Sequence, residues 1–171
     1  MNEQEKIFTI LTSGIFCDND VDFLKKCLLS KDINIRKSAA HAVGSLKIRE
    51  CFEALLEILS FDFGTTYSVA VVQFGSKVVG DIEKKLKNNP SVALCSNAAV
   101  VAGFFPGRKT LQILRNLIFE KSAQVRRVAA GNLGRMKCCR KEAVKIIKEA
   151  LKVEKNIKVN FYLKQSLKQL E

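Results

Sequence analysis

The sequence predicts an all-α protein built as a stack of helical hairpins. A short motif recurs at a hairpin-sized period, prolines are nearly absent, and apolar residues fall at helical spacing. The motif is clearest in Ile35-Arg36-Lys37-Ser38-Ala39-Ala40-His41-Ala42-Val43-Gly44. It returns in Val125-Arg126-Arg127-Val128-Ala129-Ala130-Gly131-Asn132-Leu133-Gly134, with weaker copies ending at Gly75 and Gly103. The anchor glycines Gly44, Gly75, Gly103 and Gly134 are separated by 31, 28 and 31 residues, a period typical of stacked repeats. Only Pro90 and Pro106 interrupt the 171 residues.

Residues 3–16 read as an N-terminal capping helix, and five repeats follow at about 21–50, 51–79, 80–109, 110–140 and 141–171. The first has a helix over Val21–Leu29, with Phe23, Leu24, Cys27 and Leu28 at helical spacing, and a turn at Ser30-Lys31-Asp32. Asp32 suits an N-cap, because its carboxylate accepts the free N–H groups of the next helix, Ile33–Leu46. The second repeat pairs Cys51–Leu59 with a helix from Thr66 to Val79, across a turn containing Gly64. In the third, a helix from Gly80 or Asp81 to Leu86 leads through Lys87-Asn88-Asn89-Pro90 into a helix that Pro106-Gly107 stops. The fourth joins Thr110–Phe119 to a helix ending at Met136. The fifth joins Lys141–Leu151 to Ile157–Leu170. This last helix replaces the Ala-Ala pair with Leu163-Lys164 and the glycine with Lys168, as terminal repeats commonly do.

The motif has a packing logic. Ala39-Ala40, Ala70, Ala98-Ala99 and Ala129-Ala130 are small where helices approach closely. A glycine one turn later clears a second crossing at a cost of about 1 kcal/mol in helix propensity. The residues Asp32-x-x-Ile35-Arg36-x-x-Ala39-Ala40-x-Ala42-Val43-Gly44 and Val125-Arg126-x-x-Ala129-Ala130-x-x-Leu133-Gly134 resemble the HEAT-repeat family, most closely its short prokaryotic lyase-type branch. The resemblance covers residues 21–171, strongly in the first and fourth units. It implies a right-handed α-α superhelix of about five hairpins plus the cap, in one domain. It also implies an inter-repeat pairing of Asp32 and Arg36. At the fourth unit Arg126 is kept and Ser122 stands at the Asp position; the other units have Phe63/Tyr67 and Ser91/Cys95 there, which interrupts any continuous ladder.

Composition is that of a folded soluble chain, with 47% hydrophobic and 27% charged residues. The net charge of +12 comes from 29 Lys+Arg against 17 Asp+Glu. Positive charge concentrates in residues 135–171, while residues 1–22 are acidic. Such a field attracts nucleic acid, an anionic membrane or an acidic protein. The apolar stretches around Val69–Val79 and Val92–Phe105 are too short to span a bilayer. Six cysteines without a Cys-x-x-Cys pair, and a polar N-terminus unlike a signal peptide, lead us to expect a reducing, cytoplasmic setting.

Catalytic chemistry finds little footing. His41 is the only histidine and reads as an exposed or half-buried helical residue, and no metal or cofactor site is expected. Cys138 is expected to pack and Cys139 to face solvent. Asp62 and Asp81 have no partner at a defined spacing. There is no phosphate loop and no Ser/His/Asp set. Deoxyhypusine hydroxylase-like chemistry, also found on HEAT-type repeats, needs His-Glu motifs that one histidine cannot supply. The expected role is a non-enzymatic scaffold that binds a protein or peptide on the concave face of the second helices.

Projecting positions seven and three before each glycine, and one after, gives that face as Lys37, His41, Ser68, Val72, Ser96, Val100, Phe104, Arg127 and Arg135. Gly131, Ser45, Ser76 and, on the last helix, Phe161, Gln165 and Gln169 complete it. If the angular register is off, Val72, Val100 and Phe104 are core instead. The alternative reading is nucleic-acid binding through Arg126, Arg127, Arg135, Lys137, Arg140 and Lys141, similar to the alkylpurine DNA glycosylases built on related helical repeats. No aromatic residue interleaves with that basic cluster in sequence. The lyase-type label also leaves a chromophore-attachment role open, with no residue specifically supporting it. The partner's identity and the oligomeric state stay open, although the acidic start and basic end would permit head-to-tail association.

Overall fold

A computed structural model describes residues 1–88 and 90–171, and among them it is all-α, with eleven helices and no strand. In chain order the helices are α1 Glu3–Ser13, α2 Asp18–Leu28, α3 Ile33–Leu46, α4 Phe52–Phe61, α5 Thr65–Val72 and α6 Val78–Leu86. It continues with α7 Val92–Phe104, α8 Arg108–Leu117, α9 Ala123–Leu133, α10 Arg140–Val153 and α11 Ile157–Leu170. The chain divides into two compact units, residues 1–78 and 79–171, at the boundary expected between the second and third repeats. Of the turn Lys87-Asn88-Asn89-Pro90, Asn89 lies outside the described residues.

In the first unit, α3 packs against α1, α2 and α5. The expected cap is therefore a true layer member. Asn2 and Glu5 form a reciprocal capping box at its start, and Gly14, at φ +67, ends it three residues before the predicted limit. Asp32 caps α3 as expected, its side chain accepting from the Asn34 N–H at 2.7 Å. Leu24, Leu28, Leu55, Leu56, Ile58 and Leu59 fill the core. Each is worth about 1.5–3 kcal/mol on burial.

Gly44 shows what the motif glycine does. A Cβ there would lie 2.6 Å from the Ala70 Cα, so the backbones of α3 and α5 meet at this point. Gly75, assigned the same role from sequence, does something else. The helix expected to run to Val79 ends at Val72, and Gly75 takes φ +89 in the following turn, with nothing near its missing side chain. Val78 and Val79 then begin α6 and are buried.

In the second unit, α9 packs extensively against both α7 and α11, while α8 and α10 pair with the helices that follow them. Gly103 faces the Asn132 side chain and Gly134 faces Ser166 and Gln169. Ser91 caps α7, accepting from the Leu94 N–H at 3.0 Å, and Asn156 caps α11. Cys138 and Cys139 are reversed from expectation: Cys139 is buried and Cys138 exposed. The short 3-10 turn over Lys137–Cys139 rotates the pair relative to a continuous helix.

Two ion pairs tie turns together. Arg36 donates to Asp62 Oδ2 from Nη2 at 2.7 Å and from Nε at 3.1 Å, and its Nη1 reaches the Ser30 and Lys31 carbonyls. Tyr67 adds its hydroxyl to the same carboxylate at 2.8 Å. Arg126 repeats the arrangement. Its Nε and Nη2 donate to the two Glu154 oxygens at 2.6 and 3.0 Å, and Nη1 donates to the Glu120 and Lys121 carbonyls at 2.8 Å each. The arginine of one hairpin thus holds the acid of the next, and Asp32 serves only as a cap. Asp62 is a principal partner, contrary to the sequence reading that gave it none.

Candidate partner-binding face

Every second helix lacks acidic side chains: α3, α5, α7, α9 and α11 contain no Asp or Glu. Acids are confined to the first helices, the turns and the ends of the chain. The outward positions of the second helices therefore present neutral or basic groups. Counting from each N-cap, the fifth, ninth and thirteenth residues form the stripe, which points outward except at the fifth residue of α7, Ser96. These are Lys37, His41 and Ser45 on α3, and Arg127, Gly131 and Arg135 on or just past α9.

On these helices His41, Ser45 and Arg135 are exposed and Lys37, Arg127 and Gly131 half-buried, whereas on α5 the projected positions do not point outward. Ser68 is completely buried and Val72 half-buried, while Val69 and Gln73 are exposed. Because Gly75 sits in a turn, counting back from it places the face one residue early. His41, Ser45, Val69 and Gln73 line a shallow cleft of about 350 Å³ in the first unit. On α7, Ser96 is also fully buried, and its hydroxyl has no hydrogen-bond partner among the described residues. Val100 is half-buried and Phe104 is 42% exposed.

The second unit builds the more distinctive surface. Arg135 lies over the Phe104 ring at 5.4 Å, and Arg127 over the Tyr162 ring at 5.8 Å. Both distances suit cation–π attraction, worth about 0.5–1 kcal/mol at exposed sites. Phe161 meets Tyr162 edge to face at 5.6 Å and is itself 58% exposed. Between the two arginines, Gly131 and Asn132 line a depression of about 270 Å³. Aromatic rings thus interleave with the arginines, although no aromatic neighbours them in sequence. The rings come from α7 and α11, which flank α9.

The basic cluster proposed from sequence is only partly assembled. Arg126 is committed to Glu154 and two carbonyls, so its guanidinium is structural. Arg135, Lys137, Arg140 and Lys141 are exposed, with Arg140 donating to the Glu171 carbonyl at 2.7 Å. The second unit carries 20 Lys+Arg against 7 Asp+Glu, a net of +13, whereas the first carries 9 against 10, a net of −1.

Reactive chemistry is sparse at this face. His41 is exposed on α3. Cys27, Cys51 and Cys95 are buried, and burial pushes each thiol up to about 11, which keeps them neutral. Among the described residues, no three His, Cys, Asp or Glu side chains gather as metal ligands, and no helix is long and apolar enough to cross a membrane. No protein-family model matches the chain, and no curated protein sequence is similar to it.

Proposed function

We propose that this chain is a non-enzymatic HEAT-like scaffold that holds an acidic peptide or protein segment on the face of its second helices. The seat is the surface made by α7, α9 and α11. The observation that carries this reading is the pair of arginine–aromatic contacts, Arg127–Tyr162 and Arg135–Phe104, flanking Gly131 on helices without a single acid. Arginines held over rings are partly ordered before a partner arrives, which lowers the entropy lost on binding. Their outer N–H groups stay available for bidentate bonds to carboxylates. The neighbouring rings supply apolar contact of the kind that anchors interfaces. A reducing, cytoplasmic setting goes with this reading, supported by six cysteines without a Cys-x-x-Cys pair.

Nucleic-acid binding is the second reading, favoured by the net charge of +13 on one unit and by rings beside arginines. Fluorescence anisotropy separates the two. Labelled Glu- and Tyr-rich peptides, single-stranded DNA and duplex DNA are titrated at two salt concentrations, with Arg127→Ala and Arg135→Ala as variants. Saturable peptide binding that falls about tenfold or more in either variant supports the first reading. DNA binding with a steep salt slope, spread over many lysines and indifferent to both variants, would replace it with the second.

A further inference from the structure

The two arginine clamps define a rule that exposes a third place in the second unit. The carboxylate side chains that are clamped, Asp62 and Glu154, each stand two residues before an N-cap, at Gly64 and Asn156. The clamping arginines, Arg36 and Arg126, each stand four residues after an N-cap, at Asp32 and Ser122. Asn160, four residues after Asn156, extends the rule by donating to the Glu154 carbonyl at 3.0 Å. One further acid obeys the position: Glu120, two residues before Ser122. The residue that the rule sets against it, four after the N-cap Ser91, is Cys95.

Cys95 has neither the reach nor the charge to form a clamp. It and Glu120 line a cleft of about 320 Å³, together with Leu86, Ile113 and Leu117. That volume is at the small end for ligand sites and suits one side chain rather than a large cofactor. A cleft of about 490 Å³ recurs between the next two turns, but there Arg126 and Glu154 form part of the lining. Among the described residues the Glu120 carboxylate accepts a hydrogen bond from the Lys121 N–H at 3.3 Å. Lys109, at the same cleft, is engaged with Glu83 at 3.0 Å.

We propose that this cleft binds a guanidinium group supplied from outside the chain, with its fork on the Glu120 carboxylate and its alkyl stem against Leu86, Ile113 and Leu117. The chain itself shows the chemistry twice, at Arg36–Asp62 and Arg126–Glu154. Guanidinium is preferred over ammonium because a planar fork matches a carboxylate with two parallel bonds. The unit's net charge opposes any cation at long range. Short-range geometry and the apolar walls must therefore supply the affinity, which makes the site selective rather than tight.

The test uses the ¹⁵N-labelled full chain and follows amide shifts. Butylguanidinium, acetyl-Gly-Arg-Gly-amide and butylammonium are titrated separately. Saturable shifts centred on Cys95 and Glu120, with butylguanidinium favoured over butylammonium by about fivefold or more, are expected. Glu120→Gln, at an exposed position, is expected to weaken binding by about fivefold or more. Cys95→Arg is expected to abolish it by filling the cleft from within. Tighter binding of the peptide than of butylguanidinium identifies a partner's arginine as the source; the reverse identifies a small guanidinium compound. An equal response to butylammonium, no saturable shift with either guanidinium probe, or binding unchanged in Glu120→Gln overturns the proposal. If Cys95→Arg does not fold, the Glu120→Gln and butylammonium comparisons still decide. None of these outcomes depends on the face around Gly131, so failure here and failure of the acidic-partner reading are separable.

Discussion

Replacing Gly44 with alanine puts the packing of the first unit to a direct test. The new Cβ would stand 2.6 Å from the Ala70 Cα, 2.8 Å from its Cβ and 2.9 Å from its carbonyl oxygen. The closest of these is about 0.8 Å short of ordinary van der Waals contact. Two of the three atoms are backbone, so no side chain can swing aside and α3 must separate from α5. Overpacking costs about 1–3 kcal/mol, and a clash with backbone atoms stands at the upper end of that range, about 2–3 kcal/mol. Alanine returns about 1 kcal/mol in helix propensity. The expected outcome is a net loss of about 1–2 kcal/mol, or roughly 2–8 °C in Tm for a chain of this size. Gly131→Ala is the matched control. Like Gly44 it lies in the last turn of its helix, but its Cβ would meet only the Tyr162 ring, at 3.5 Å. That control should be neutral or stabilised by up to about 1 kcal/mol. Urea unfolding followed by circular dichroism measures both. A Gly44→Ala protein as stable as the parent, or no less stable than Gly131→Ala, would refute the close approach of the two backbones.

The ladder and the thiols give further expectations. Arg126→Ala should cost about 2–4 kcal/mol in urea unfolding, because the Glu154 side chain, only 5% exposed, loses both bonds to its cation. A cost under about 1 kcal/mol would mean that the pair is an ordinary surface contact. Bonding to Arg126 holds the Glu154 carboxyl below its ordinary value of 4.5. Its contribution is therefore complete above that value and fades as pH falls through the lowered one. The stability difference between the parent and Glu154→Gln should accordingly shrink in acid; a difference that grows would contradict the assignment. With an aromatic disulfide reagent, exposed Cys17 and Cys138 should react promptly, whereas buried Cys27, Cys51 and Cys95 should wait for unfolding. Prompt labelling of any of those three, located by mass spectrometry, would mean that the core opens.

Much of the fold was legible because its signals are local. Asp32 announces a helix start through its own side chain, and the Ala-Ala pairs mark close approach within a single turn. The site was less legible because its register depends on where a helix begins, and the glycine count hid that. Gly75 resembles Gly44 in sequence but adopts a left-handed turn, which moved the predicted α5 face from Val69 and Gln73 to Ser68 and Val72. Counting from N-caps would have avoided the slip. The acid partners of Arg36 and Arg126 lie 26 and 28 residues downstream, beyond the reach of motif spacing within one repeat. The arginine–aromatic contacts come from separate helices, so a search for aromatics beside the basic residues in sequence misses them.

Glycine serves two unlike purposes on α9, and the contrast separates scaffold from surface. Gly134 faces Ser166 and Gln169 of α11, with the Ser166 Cα 3.1 Å from where a Cβ would stand. A side chain there would push two helices apart. Gly131, one turn earlier, has only a ring edge at ordinary distance, so packing does not require it. What its missing side chain does provide is the floor of the depression between Arg127 and Arg135. The equivalent outward position on α3 is His41 and on α7 is Val100, so the stack accepts larger groups there. The need to stack therefore fixes Gly44, Gly103 and Gly134 and leaves the ninth position of each helix free to shape the face. A glycine at that free position, between two arginines that lean on rings, keeps the depression between them open, and it is this opening that the proposed partner's side chain would use.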